Sequence, residues 1–165
     1  DLPADSRQSQ EEIHPEKVAL APLVRDVLTK LEVPIHECDA RVRLDEPLPA
    51  VRGHHSTLFQ VMENLLTNAI KFVPPGIRPR VHIGAEHRGE MVHIHLEDNG
   101  IGIEPREFER IFLAIERLHG PEEYPGSGIG LALVAKGVDR MGGRVSVEST
   151  PGQGSRFWLE LPAAE

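Results

Sequence analysis

The chain has 165 residues, of which 39% are hydrophobic, enough for one folded domain with a sizeable core. Its formal charge of -8 and isoelectric point near 5.6 argue against a general nucleic-acid binder, which needs a clustered basic surface. Cys38 is the only cysteine, so no internal disulfide can form; a reducing compartment fits, and the residue reads as a small, half-buried hydrophobe.

Residues 1–16 are polar, carry Pro3, Pro15 and a Ser/Gln cluster, and read as a linker. Leu23, Val24, Val27, Leu28 and Leu31 have helical spacing, and Pro34 should end or kink that helix. Arg41 to Asp45 alternates and reads as a strand, broken by Pro47 and Pro49. The strongest helix is expected over residues 56–72. Leu58, Val61, Met62, Leu65, Ala69 and Phe72 lie on one side of the wheel, while Gln60, Asn64, Asn68 and Lys71 share an arc of about 80° on the other. Pro74-Pro75-Gly76 stops it.

Arg80 to Glu86 and Met91 to Glu97 form a hairpin about Arg88-Gly89. Asp98 to Ile103 is a glycine turn, Pro105 to Phe112 a short helix, and 113–127 a mobile loop with no clear period. Ile129 to Met141 is a second strong helix ending at Gly142-Gly143. Arg144 to Ser149 and Ser155 to Leu161 make a closing hairpin. Helices plus two hairpins predict an α+β layer fold with a largely antiparallel sheet. No stretch approaches membrane-spanning length and the start is no signal peptide. A chain beginning Asp1-Leu2-Pro3 without Met is expected to be part of something longer.

Three motifs carry chemistry. Gly126, Gly128 and Gly130 lead into a helix, whose unpaired N–H groups suit phosphate. No Lys-Ser/Thr follows and Leu131 replaces a glycine, so this is neither a P-loop nor a dinucleotide fingerprint. Asp98 ends a strand, where a carboxylate can accept a hydrogen bond from an exocyclic amine such as that of adenine; Gly100 and Gly102 keep the backbone clear of a flat ring. Asn64 and Asn68 put two amide oxygens on one helical face, suited to Mg²⁺ that also keeps waters and phosphates, and Lys71 adds positive charge one turn on. Two Asn cost helix propensity, which points away from an ordinary solvated face.

The order Asn-x-x-x-Asn-Ala-x-Lys, Asp-x-Gly-x-Gly, Phe-rich loop, Gly-x-Gly-x-Gly-Leu resembles the catalytic ATP-binding domain of bacterial sensor histidine kinases, a fold shared with gyrase, a heat-shock chaperone and mismatch-repair ATPases. The likeness runs from about Val18 to Pro162, and Arg117 to Gly126 look most like phytochrome-related and hybrid kinases. The resemblance implies a two-layer fold, a mixed sheet with helices on one face, spanning 17–165 after a linker from a dimerisation and phosphoacceptor domain. It implies ATP and Mg²⁺ as cofactors. Asp98 would meet the adenine amine, with Gly100, Gly102 and Ile103 along the base and Ser155 beneath it. Asn64 and Asn68 would organise the metal and phosphates, Asn64 and Lys71 serving catalysis. The backbone at Gly126, Gly128, Gly130 and Leu131 would hold the phosphate tail. Residues 113–127 would form a lid, with Arg117 near the γ-phosphate.

Implied partners are a phosphoacceptor histidine domain of a homodimeric parent and a response-regulator receiver, with no nucleic acid and no membrane insertion, in the cytoplasm. The sequence departs from the family where Phe112 is followed by Ile115 rather than a second aromatic, and no phosphoacceptor motif is present. The altered lid motif favours an alternative, a regulatory nucleotide-binding module without kinase activity. No strong general base is visible; Glu63 lies beside Asn64 but turns away from the polar stripe. His82, His93 and His95 read as a solvated sheet face rather than a metal site, His54-His55 as helix cap or surface, and Trp158 as sheet packing.

Overall fold

The computed structural model describes residues 14–101, 127–150 and 152–164, with backbone alone at 127–132. The expected helix at 105–112, the loop at 113–127 with Phe112 and Ile115, and most of the 1–16 linker lie outside the described residues.

The order is β1 (Glu16–Val18), α1 (Leu20–Lys30), α2 (Glu32–Glu37), β2 (Arg41–Leu44), β3 (Val51–Gly53), α3 (His55–Lys71), β4 (Arg80–Arg88), β5 (Met91–Asp98), α4 (Ser127–Arg140), β6 (Arg144–Thr150) and β7 (Gly154–Pro162). Five strands form one sheet in the order β2-β4-β5-β7-β6. Three of its pairings are antiparallel and one, β2 with β4, is parallel. The fold is therefore a mixed, mostly antiparallel α+β sandwich. A second ribbon pairs β1 with β3.

Alternation sorts the sheet into two faces. Val81, Ile83, Val92, Ile94, Leu96, Phe157, Leu159 and Leu161 point into the core. There they meet Leu23, Val24 and Val27 of α1, Leu58, Met62, Leu65 and Leu66 of α3, and Val134 and Val138 of α4. Full burial of each such leucine contributes about 1.5–3 kcal/mol relative to exposure.

Local sequence explains several element ends. Pro34 lies in the first turn of α2, where its missing N–H costs nothing, so it starts a new short helix instead of only ending α1. His54 caps α3 by accepting the Thr57 N–H on its ring. Glu16, at the end of the expected linker, is instead the first residue of β1, and its carboxylate accepts the His55 N–H at 3.0 Å.

Candidate nucleotide site

On α3 the apolar side is buried and the polar stripe faces away from the sheet. Asn64 and Asn68 are half-buried, and the amide nitrogen of each is buried with no hydrogen-bond partner among the described residues. An orphaned buried donor costs about 1–3 kcal/mol, so a helix carrying two, one turn apart, is suited to an anionic ligand. Lys71 is exposed at the helix end, its ammonium 5.4 Å from the Phe72 ring centroid. Glu63 points the other way, held 3.0 Å from the Lys30 ammonium of α1, and so stands apart from the asparagines.

Asp98 ends β5. Its Oδ1 accepts the Gly100 N–H at 2.8 Å. Burial pushes its carboxyl up to about 6, and the Gly100 and Ser155 backbone hydrogen bonds pull against that rise. Among the described residues no cation offsets that burial. Ser155, buried, lies opposite Asp98 in the β5–β7 ladder, its Oγ 2.9 Å from that of Ser149. Asp98 and Ser155 line one cavity of about 520 Å³ with Ser149, Thr150, Gln153 and Gly154; Asn64 and Asn68 are not on its walls.

The two regions are joined through the backbone. Ile101 N–H donates to the Phe72 carbonyl at the end of α3 (2.9 Å), and Gly152 N–H donates to the Ile101 carbonyl (2.7 Å). Gly100 is required at this junction, since a Cβ there would lie 2.4 Å from the Phe72 carbonyl oxygen. Gly154, at φ 106°, is required too, because a Cβ would lie 2.1 Å from the Asp98 carbonyl oxygen. Asn99 went unassigned in the sequence, where Asp-Asn-Gly reads as a turn. Its side chain accepts the Arg80 N–H (2.8 Å) and donates to the Arg78 carbonyl (3.0 Å), clamping the start of β4.

Helix α4 runs antiparallel to α3. Met141, just past its end, accepts the His54 N–H on sulfur at 3.4 Å, and a Cβ on Gly137 would touch Val61 and Thr57 at 3.0 and 3.1 Å. Followed back from Gly137, α4 approaches its first turn in the direction in which α3 runs from Val61 to Asn68 and Lys71. The backbone of Gly128, Gly130 and Leu131 belongs to those first turns, and the N–H groups at a helix start attract anions. Gly102, Ile103, Arg117 and Gly126 lie outside the described residues.

The far face of the sheet differs from the simple solvated surface expected of its histidines. His82, His93, His95 and Trp158 are all half-buried. His95 meets His82 and Trp158 at ring centroid distances of 5.4 and 5.5 Å, and Arg88 and Arg156 lie 5.6 and 5.1 Å from the indole centroid. Among the described residues no three His, Cys, Asp or Glu side chains group to hold a metal ion. A divalent ion here would depend on neutral oxygens, water and phosphate, the usual habit of Mg²⁺, and the Asn64–Asn68 pair fits that.

The family of Histidine kinase-, DNA gyrase B-, and HSP90-like ATPases matches residues 53–165. The chain belongs to this family. It is 37% identical over 140 residues to the phytochrome-like protein Cph1 of Synechocystis sp., covering 85% of this chain and 18% of that protein. It is 40% identical over 158 residues to the sensor histidine kinase AruS of Pseudomonas aeruginosa, covering 88% of this chain and 15% of the relative. The chain thus spans less than a fifth of each. Full-length ShkA, solved in complex with AMPPNP, superposes with a TM-score of 0.77 at 30% identity over 94% of this chain and 32% of that one. The mycobacterial sensor histidine kinase MprB gives 0.74 at 27% identity, over 91% and 98%. The fold is that of histidine kinase ATPase domains, and no helix among the described residues is long and apolar enough to cross a membrane.

Proposed function

We propose that the domain binds Mg·ATP beside the polar stripe of α3 and donates the γ-phosphoryl group to a histidine on a separate helical domain, in two-component signalling. The observation that carries this reading is the pair of buried amide nitrogens of Asn64 and Asn68, without a hydrogen-bond partner among the described residues, on the α3 face toward which the first turn of α4 is directed. The match to ATPase domains of sensor histidine kinases supports it.

Each residue then has a chemical task. Asp98, ionised above its raised pKa, accepts a hydrogen bond from the adenine amine, and Ser155 lies beneath the base with Gly100 at its edge. Asn64 and Asn68 would hold Mg²⁺ through their carbonyl oxygens and the phosphates through their unpartnered amide N–H groups. The backbone N–H groups around Gly128, Gly130 and Leu131 take the phosphate tail, and Lys71 adds charge from the rim. Gly102, Ile103, Gly126 and Arg117 are assigned to the same site by their place in the sequence alone. Mg²⁺, when bound, neutralises phosphate charge as the phosphoryl group leaves.

Catalysis is by positioning and charge neutralisation. Glu63 is held by Lys30 and takes no proton from the acceptor, so little turnover is expected without that acceptor. The parent would be a cytoplasmic homodimer acting on a receiver domain. Mixing the chain with a phosphoacceptor helix pair of a related kinase and γ-labelled ATP tests the assignment. Acid-labile, base-stable phosphohistidine is the expected product. Tight ATP binding without phosphohistidine would leave only a regulatory nucleotide-binding module.

A further inference from the structure

The edge strand β2 has features that the nucleotide site does not use. It pairs only with β4 among the described residues, so its other side is an open ladder. Arg41 and Asp45 donate their N–H groups inward, to Pro79 at 2.8 Å and Ile83 at 3.0 Å. Strand alternation then turns the N–H and C=O groups of Val42 and Leu44 outward, leaving two donors and two acceptors on the edge.

The side chains add a charge pattern. Arg41 and Arg43 share one face of β2, and Arg80 lies directly across from Arg41 in the parallel register. Like charges directly opposed on a sheet repel, and neither Arg41 nor Arg80 has an ion-pair partner among the described residues. Among the described residues Arg43 makes an exposed contact with Asp45 at 3.2 Å, a pair worth little. These arginines line a cavity of about 560 Å³ together with His82, Asn99 and two carboxylates, Glu97, which is paired with Arg156, and the largely buried Asp98. In a chain of charge -8, Arg41 and Arg80 are thus left as cations with no ion-pair partner among the described residues, beside carboxylates that are buried or already paired. On the other face Val42 and Leu44 are half-buried and pack against the core, so an added strand would meet an apolar shoulder there.

We infer that β2 is a docking edge for an acidic, extended segment of a partner protein, which adds as a sixth strand. Its backbone bonds to Val42 and Leu44, and two carboxylates spaced i, i+2 fork onto Arg41 and Arg43, the former backed by Arg80. Asp45, held by His82 at 2.6 Å, sets the register by excluding a third acid at the end of the strand. The inference is independent of the nucleotide assignment.

The test uses the 165-residue chain, isotope-labelled, and two capped hexapeptides: Glu-Thr-Glu-Thr-Gly-Thr and the same peptide with Lys for Glu. The acidic peptide should shift the amide resonances of residues 41–45, slow hydrogen exchange at Val42 and Leu44 at least tenfold, and bind more weakly as salt rises. The basic peptide should do none of this. R41E/R43E should abolish the effect, and R41K/R43K, which keeps the charge and the fold, should keep part of it. Equal response to both peptides, shifts centred elsewhere, or binding without slowed exchange at Val42 and Leu44 would overturn strand addition. So would an oligonucleotide competing at the same arginines more tightly than the peptide.

Discussion

Asp98 and Ser155 face one another across the β5–β7 ladder, and the Ser155 backbone helps to hold a carboxyl that burial has pushed up to about 6. The pairing puts a titratable group with a near-neutral midpoint where the base of the nucleotide is proposed to sit.

Nucleotide affinity should therefore depend on pH through this group. Above pH 7 the carboxylate is ionised and accepts a hydrogen bond; at pH 5 only about a tenth of it remains ionised, so affinity should fall about tenfold. Asp98→Asn should weaken binding at pH 7 by about 1.5–3 kcal/mol and lack this inflection. Calorimetry on both proteins from pH 5 to 8 separates Asp98 from titration of the nucleotide itself. Parallel pH profiles would place the base elsewhere.

The same carboxyl governs stability with the opposite sense. Its folded pKa is raised from 3.8 to about 6, so the folded state takes up a proton between these values and gains stability as pH falls through that window. At pH 7 the buried charge costs roughly 3 kcal/mol. Without ligand, Asp98→Asn should be more stable than the parent at pH 7, and its advantage should shrink towards pH 4. Urea melts at both values check this, and a constant difference would contradict it.

Asn68→Leu should show a similar exchange of stability for function. It removes a buried amide nitrogen without a partner among the described residues, so apo stability should hold or rise by about 1 kcal/mol. Nucleotide affinity should drop at least tenfold. A variant that is less stable yet binds normally would mean that the amide serves the fold.

Gly100→Ala should cost about 1–3 kcal/mol, because its methyl would run into the Phe72 carbonyl oxygen and must push the turn from the end of α3. Denaturant midpoints measure the loss. Exchange of the Ile101 amide should also accelerate, since its bond to Phe72 is the one forced open.

Glu63→Gln should leave phosphotransfer within about twofold and stability within about 1 kcal/mol, as expected of a solvent-facing pair with Lys30. A hundredfold loss of phosphotransfer with unchanged ATP affinity would instead make Glu63 the base.

Much of this was legible in the chain because periodicity reports burial. The α3 face from Leu58 to Ala69 and both hairpins follow from apolar spacing alone, and so does the separate polar stripe, but not the burial of the Asn64 and Asn68 amide nitrogens within it. The parallel partnership of β2 with β4 was hidden, since a four-residue alternating strand carries no mark of its neighbour. The β1–β3 ribbon was hidden because β1 has three residues within a polar stretch. Asn99 looked like any turn residue, and its clamp on Arg78 and Arg80 depends on where β4 begins, which no local pattern encodes. Likewise the need for glycine at 154 comes from the Asp98 carbonyl, 56 positions away in the chain.

The short run of backbone bonds from Phe72 to Ile101 to Gly152 has a wider consequence. It makes the asparagine helix, the aspartate turn and the last hairpin a single mechanical piece. A base that fits poorly at Asp98 would displace the helix proposed to receive the phosphates, so discrimination among nucleoside triphosphates should appear in the rate of the proposed phosphoryl donation as well as in occupancy.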